Sequence, residues 1–300
     1  MTSADIATRK AAGVRLDGGL LLIVLFCLLW SSAFAAAKIA LVDCPPLFLL
    51  AARFALAGAL MIGVAWAVDG RPRLTRRDLA SLVLLGAMNN AVYLGLSWSG
   101  MVTVSSGFAA VIVSTNPILV ALLAAGVLGE RLTWRKVAGL ALGFVGVALV
   151  LRSRLGGGLE DLHGTILVVG GLLALVVGTV MFKRLAPGGG LWVGNGVQSL
   201  AGGVLILPAA LLLEDPAAIR MTPALAGGFA YMVFAISIGC YAIWFHLLGS
   251  RSATAASALH FLMPPLGLLF GWVILGEAVP LLDLAGVVPI AVGILLVTRR

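Results

Sequence analysis

Ten runs of apolar residues, each long enough to cross a bilayer, follow one another along this chain with little between them. They fall at about 19–41, 47–68, 79–98, 103–128, 134–151, 163–183, 190–213, 223–248, 252–275 and 281–298. A helix needs roughly 20 residues to span the hydrocarbon core. Backbone groups in lipid have to be satisfied inside the protein, so only helices and closed barrels cross. Barrel strands alternate apolar and polar residues, whereas these runs are uniformly apolar and too long. The expected fold is all-α and integral to the membrane, with ten transmembrane helices. Composition agrees: 61% of the 300 residues are hydrophobic and 11% are charged, with a mean hydropathy of +1.13. A soluble domain is about half apolar and a quarter charged.

Linkers are short and turn-rich, as at Asp69-Gly70-Arg71-Pro72-Arg73, Gly156-Gly157-Gly158 and Glu214-Asp215-Pro216. Residues 1–17 form a polar cytoplasmic tail. Ala33-Phe34-Ala35 has the look of a signal-peptidase site, but the apolar run continues past it, so an uncleaved first helix is expected. The net charge of +8 admits nucleic acid or membrane orientation as its cause. Its distribution decides. With the N-terminus inside, fifteen Lys and Arg fall on inside segments and four on outside ones. That is the positive-inside bias, and it places both termini in the cytoplasm. Cys27, Cys44 and Cys240 have no metal-ligand spacing and read as small apolar residues.

The chain also repeats itself. Displaced by 147 positions, Ser105–Val150 lies over Ser252–Val297 without a gap, and about 14 of 46 positions agree. The matches include Pro117/Pro264, Gly129-Glu130/Gly276-Glu277, Gly139/Gly286 and Gly146/Gly293. Shared Leu and Val prove little between apolar helices; a shared proline, a Gly-Glu pair and two glycines in one register prove more. Each half, 18–152 and 153–300, holds five spans. Five is odd, so the second half enters the membrane upside down. Two inverted five-helix repeats are the architecture of secondary transporters, where exchanging the conformations of the halves moves the opening across the membrane.

Trp30-Ser31-Ser32-Ala33-Phe34, Ala51-Ala52-Arg53-Phe54, Trp98–Leu151 with Pro117 and Leu128-Gly129-Glu130-Arg131-Leu132-Thr133, and the second copy with Pro264 and Leu275-Gly276-Glu277 carry a resemblance. They resemble the EamA family of the drug/metabolite transporter superfamily, and within it look most like the YddG-type amino-acid exporters. The resemblance implies a ten-helix exporter of small metabolites, EamA-like in each half, working by alternating access in a bacterial inner membrane.

Polar groups inside a membrane are costly, so each needs a reason. The acidic residues all lie in tails, loops or helix ends, and no carboxylate is placed to carry a proton through the centre. Facilitated movement is therefore expected, with a proton-coupled multidrug exporter as the rival. His260 is the remaining central titratable group, either a pocket residue or a histidine bonded between helices. Pro117 and Pro264 sit at equivalent points and are candidate hinges, since proline interrupts the helical ladder. Asn89, Tyr93 and Ser97 share one helical face, as do Ser237, Tyr241 and Trp244. Trp30, Asn89, Tyr93, Ser114, Gln198, Tyr241, Trp244 and His260 are the candidate substrate contacts. Amides and hydroxyls would hold the polar end of a small amphipathic molecule and rings its side chain. The same residue types also bond helix to helix. Lys38 and Arg53 read as structural residues whose side chains snorkel toward the outer boundary. Glu130 and Glu277 read as loop anchors. No carboxylate cluster or His/Asp pair suggests an enzyme. No cofactor, metal or nucleic-acid partner is expected; the partners are a small-molecule substrate and lipid, and a monomer is compatible with this reading.

Overall fold

The computed structural model describes residues 18–69, 74–155, 160–277, 279 and 281–298, and no strand occurs among them. The N-terminal tail with Arg9, Lys10 and Arg15, the turn residues Arg71 and Arg73, the Gly156-Gly157-Gly158 break, and Arg299 and Arg300 lie outside the described residues. The first half comprises α1 (Gly18–Leu41), α2 (Pro46–Asp69), α3 (Arg76–Gly100), α4 (Ser106–Leu128) and α5 (Trp134–Leu155). The second comprises α6 (Leu162–Leu185), α7 (Gly190–Leu213), α8 (Pro223–Ser250), α9 (Ala253–Leu275) and α10 (Leu281–Thr298). Length and composition alone mark eight of these, all but α5 and α10, as able to cross a membrane. With α5 and α10, the helices alternate in direction, so the start of α1 and the end of α10 share one face. That face is called here the termini face, and the other the far face.

Glycine contacts establish that the halves are inverted. A methyl group on Gly139 of α5 would meet the carbonyl of Gly293 on α10 at 2.7 Å, and one on Gly146 would meet that of Gly286 at 2.5 Å. Numbers rise along one helix as they fall along the other, so these equivalent helices run antiparallel. Each contact is also the repeat image of the other, because Gly139 corresponds to Gly286 and Gly146 to Gly293. The α2–α7 pair behaves alike, with Gly58 against Gly196 and Gly203 against Ala51. Backbones without a Cβ between them approach closely, and packing of this kind holds helices together in lipid.

The repeated Gly-Glu pair now has a physical account. Gly129 and Gly276 end α4 and α9 in the left-handed conformation, each at φ 67°, which suits a residue without a Cβ. The glutamate that follows reaches the first turn of the equivalent helix in the other half. Glu130 accepts from the amides of Ala253 (2.8 Å) and Thr254 (3.3 Å) and from the Thr254 hydroxyl (2.6 Å). Glu277 accepts from the amides of Ser106 (3.0 Å) and Gly107 (3.2 Å) and from the Ser106 hydroxyl (2.8 Å). A carboxylate at a helix start meets unpaired N–H groups and the positive end of the helix dipole. More than loop anchors, the two glutamates clamp each half to the other at opposite faces.

The prolines act differently from a kink in a continuous helix. α4 is α-helical over Ser106–Val113 and again over Asn116–Leu128, with Pro117 in the first turn of the second segment. α9 passes from Ala253–Ser257 through a 3₁₀ turn, Ala258–Leu262, into Met263–Leu275, where Pro264 again opens the segment. Proline suits a first turn because its missing N–H has no partner to lose there. The carbonyl of His260, which Pro264 deprives of its usual helical donor, accepts from the Met263 amide. The third helix of each half carries a π segment, Ala87–Val92 in α3 and Met232–Cys240 in α8.

Candidate substrate pathway

Asn195, Gln198 and Phe245 lie among the lining residues of a cavity of about 430 Å³ between α3, α6, α7 and α8. Its rim is the α6–α7 turn at Pro187 and Gly188 and the end of α8 at Gly249 and Ser250, so it opens at the termini face. Asp78, in the first turn of α3, fixes this rim by accepting from the Gly188 amide at 2.8 Å. Deep in the cavity wall, the Asn195 side chain donates to the Ser237 carbonyl at 3.0 Å. The carbonyl oxygens of the Asn195 and Gln198 side chains are buried without a partner.

Ser237 is a junction. It belongs to the π segment of α8, and its hydroxyl accepts from Arg53 Nε at 2.7 Å. Arg53 lines a second pocket with Trp30, Tyr93, Trp98 and Tyr241, of only about 30 Å³. A volume of that order holds about one water. Beside it the rings pack on one another: Trp30 stacks on Tyr241 (5.6 Å between centroids), and His260 meets Trp30 (5.2 Å) and Trp244 (4.9 Å) edge-on. Phe26 completes the cluster against Trp244 at 5.5 Å. A wide cavity at one face thus neighbours an aromatic plug buried in the bundle interior.

The eight residues read from the sequence as substrate contacts are all buried. Trp30, Tyr93 and Tyr241 meet around the small pocket, and Trp244 and His260 join them through ring contacts. Gln198 lines the larger cavity. Asn89 and Ser114 line neither. Asn89 abuts Gly178 of α6, where a methyl group would overlap its amide oxygen. The Ser114 hydroxyl donates to the Val111 carbonyl at 2.6 Å, at the break in α4. The shared face of Asn89, Tyr93 and Ser97 is not purely α-helical, since the Tyr93 amide bonds the carbonyl of Met88, five residues back. Arg53 overturns its sequence reading: it does not snorkel outward but is 1% exposed, with its guanidinium 5.0 Å from the Phe54 ring and 5.3 Å from that of Trp98. An arginine among small apolar residues was the available signal; its inward direction was not.

The far face carries a charged latch. Lys38, at the end of α1, donates to the carbonyls of Met101 (2.5 Å) and Val104 (2.9 Å), bridging α3 to α4. Its counterpart Lys183, at the end of α6, reaches a single carbonyl, Gly249, at 3.5 Å. The latch is tight at the far face and loose at the face where the cavity opens.

Hollow from one face, latched at the other, and built of halves that run in opposite senses, this bundle suits passing a solute rather than transforming one. Its class is that of membrane transporters of small metabolites. The chain belongs to the EamA-like transporter family, whose profile matches residues 17–152 and again 162–299. It is 29% identical over 277 residues to the S-adenosylmethionine/S-adenosylhomocysteine transporter of Chlamydia trachomatis, covering 88% of this chain and 84% of that one. A probable terminal-alkyne amino-acid exporter of Streptantibioticus cattleyicolor is 29% identical over 93% of this chain and 92% of its own. A probable amino-acid metabolite efflux pump of Salmonella typhimurium is 27% identical over 93% and 94%. A solved crystal structure superposes with a TM-score of 0.73 over 94% of this chain and 98% of that one, at 20% identity, a likeness of fold.

Proposed function

We propose that the protein exports small amphipathic metabolites, amino acids foremost and hydrophobic or aromatic ones among them, by alternating access. The observation that carries this reading is the cavity open at the termini face beside a buried aromatic plug. With both termini cytoplasmic, as the Lys and Arg distribution implies, substrate enters from the cytoplasm of a bacterial cell and leaves across its inner membrane. Pro117 and Pro264 supply the flexible points in α4 and α9, where the α-helical ladder already breaks. The unpartnered amide oxygens of Asn195 and Gln198 offer acceptors for an ammonium group, and the rings accommodate an apolar side chain. Relatives named for amino-acid export or efflux support this substrate class.

The mode is facilitated. Glu130, Glu214 and Glu277 are each engaged by backbone amides at helix starts and are not free to shuttle protons. A second reading, proton-coupled export, is favoured by one observation: His260 is buried with Nε2 unpartnered. Counterflow with labelled amino acids in proteoliposomes separates the readings. Downhill exchange without accumulation under an imposed pH gradient supports facilitated transport. Accumulation driven by that gradient establishes proton coupling, and no exchange of any amino acid in the panel overturns the proposal.

A further inference from the structure

We infer that Arg53 is a carboxylate anchor, and that the molecules this site takes are small carboxylates with an apolar or aromatic side chain. The inference rests on the transport reading for its setting but concerns recognition alone. Arg53 is fully enclosed by the bundle, and its Nη2 has no hydrogen-bond partner. Among the described residues no carboxylate pairs with it, and its Nε donates to the Ser237 hydroxyl. A buried guanidinium without a counter-ion is costly, and in a membrane protein such a charge marks a functional site. The faces of Phe54 and Trp98 offset part of that cost. They leave the donor edge unused, and a planar guanidinium fork matches a carboxylate in bidentate geometry.

The surroundings give the rest of the ligand its chemistry. Trp30, Tyr93, Trp98 and Tyr241 wall the same pocket, so the group next to the carboxylate is apolar or aromatic. On the other side of Ser237, the unpartnered oxygens of Asn195 and Gln198 face the demand of a donor. The pocket is too small for such a ligand as it stands, and turning the stacked rings of Trp30 and Tyr241, both in its lining, would enlarge it.

The test uses the full chain in nanodiscs, with L-phenylalanine, 3-phenylpropanoate and phenethylamine as probes. Binding is read by calorimetry and by fluorescence of the tryptophans in the pocket. Both carboxylates are expected to bind at least about tenfold more tightly than the amine, the margin of a charge-assisted hydrogen bond. Arg53→Gln abolishes that preference, and Arg53→Lys, which keeps the charge and loses the fork, restores part of it. Size-exclusion profiles accompany both variants, and the lysine variant carries the test if the glutamine variant fails to fold. Equal binding of amine and acids, binding of neither acid, or a preference that survives Arg53→Gln overturns the inference. If the acids bind as expected and labelled phenylalanine does not cross proteoliposomes, the site stands and the transport reading falls.

Discussion

An arginine seven residues into an apolar helix can run its side chain out to the interface or turn it into the bundle. Sequence spacing favours the first for Arg53, because the outer end of α2 is within reach of a long stem. Packing chooses the second, since Ser237 of α8 and the ring of Trp98 are supplied by other helices. The aromatic candidates were easier to read. Trp30, Tyr241 and Trp244 do converge, and removing one should open the plug. Trp30→Ala is expected to lower exchange of labelled aromatic amino acids about tenfold or more, since Trp30 alone touches Tyr241, Trp244, His260 and Phe26. An unchanged exchange rate with unchanged elution would take the cluster off the pathway. His260 tests the mode of transport. Its Nδ1 lies 3.0 Å from the Ser257 carbonyl, in a setting of rings. Facilitated exchange should vary less than about twofold between pH 6 and 7.5. A steep dependence that His260→Gln removes would establish proton coupling. Asn89 shows why polar side chains are hard to read: amides that touch solute and amides that fill a gap between helices leave the same trace in sequence.

The repeated Gly-Glu pair was legible as a motif, but its partner was not, because the helix each glutamate clamps lies in the other half. Once the clamps are seen, their energetics follow. A carboxylate capping a helix start contributes about 0.3–1 kcal/mol, and up to about 2 kcal/mol where partly buried. Glu130→Gln and Glu277→Gln should each lower stability by about 1 kcal/mol, read as a drop in melting temperature in detergent. Equal effects are expected, because the two sites are repeat images. Replacing glycine at the α5–α10 crossing should cost more. At Gly146 the added side chain meets the Gly286 carbonyl and the Ile290 backbone, which cannot move aside cheaply. Gly146→Val is therefore expected to lose about 2 kcal/mol or more, in the range of overpacked cores; a neutral Gly146→Val would mean that α5 and α10 are free to separate. The π segments of α3 and α8 were not legible, because one extra residue in a turn leaves a uniformly apolar pattern unchanged. Outside the bundle, Asp161 caps α6, and bonds from the Gly164 amide and the Thr103 hydroxyl hold its carboxyl below the usual carboxylate range. Its small contribution is present above the unfolded carboxylate range and fades as pH falls through its depressed one.

At the scale of the whole molecule, the inverted repeat turns one structure into a statement about two. Lysines at the ends of corresponding helices make different contacts: Lys38 grips carbonyls from both sides of the α3–α4 turn, while Lys183 barely reaches one. Exchanging those roles would tighten the termini face and loosen the far one, which is the second conformation alternating access requires. The latch is then a term in that equilibrium. A hydrogen bond from a charged donor is worth about 1.5–3 kcal/mol, and 1.4 kcal/mol is about tenfold in population. Lys38→Ala should accordingly move the population toward the far-open conformation by about tenfold. The three native cysteines are buried, so a thiol placed at Ser250 on the cavity rim reports opening at the termini face. Labelling of Ser250→Cys by an impermeant reagent is expected to slow severalfold when combined with Lys38→Ala. It should occur from the cytoplasmic side alone, whereas Ala217→Cys, in the α7–α8 turn, should label from the opposite side. Equal access to both thiols from one side would break the odd-span argument that sets the halves head to foot. Faster labelling of Ser250→Cys in the lysine variant would mean that the far-face latch favours closure at the termini face, reversing the linkage between the two gates.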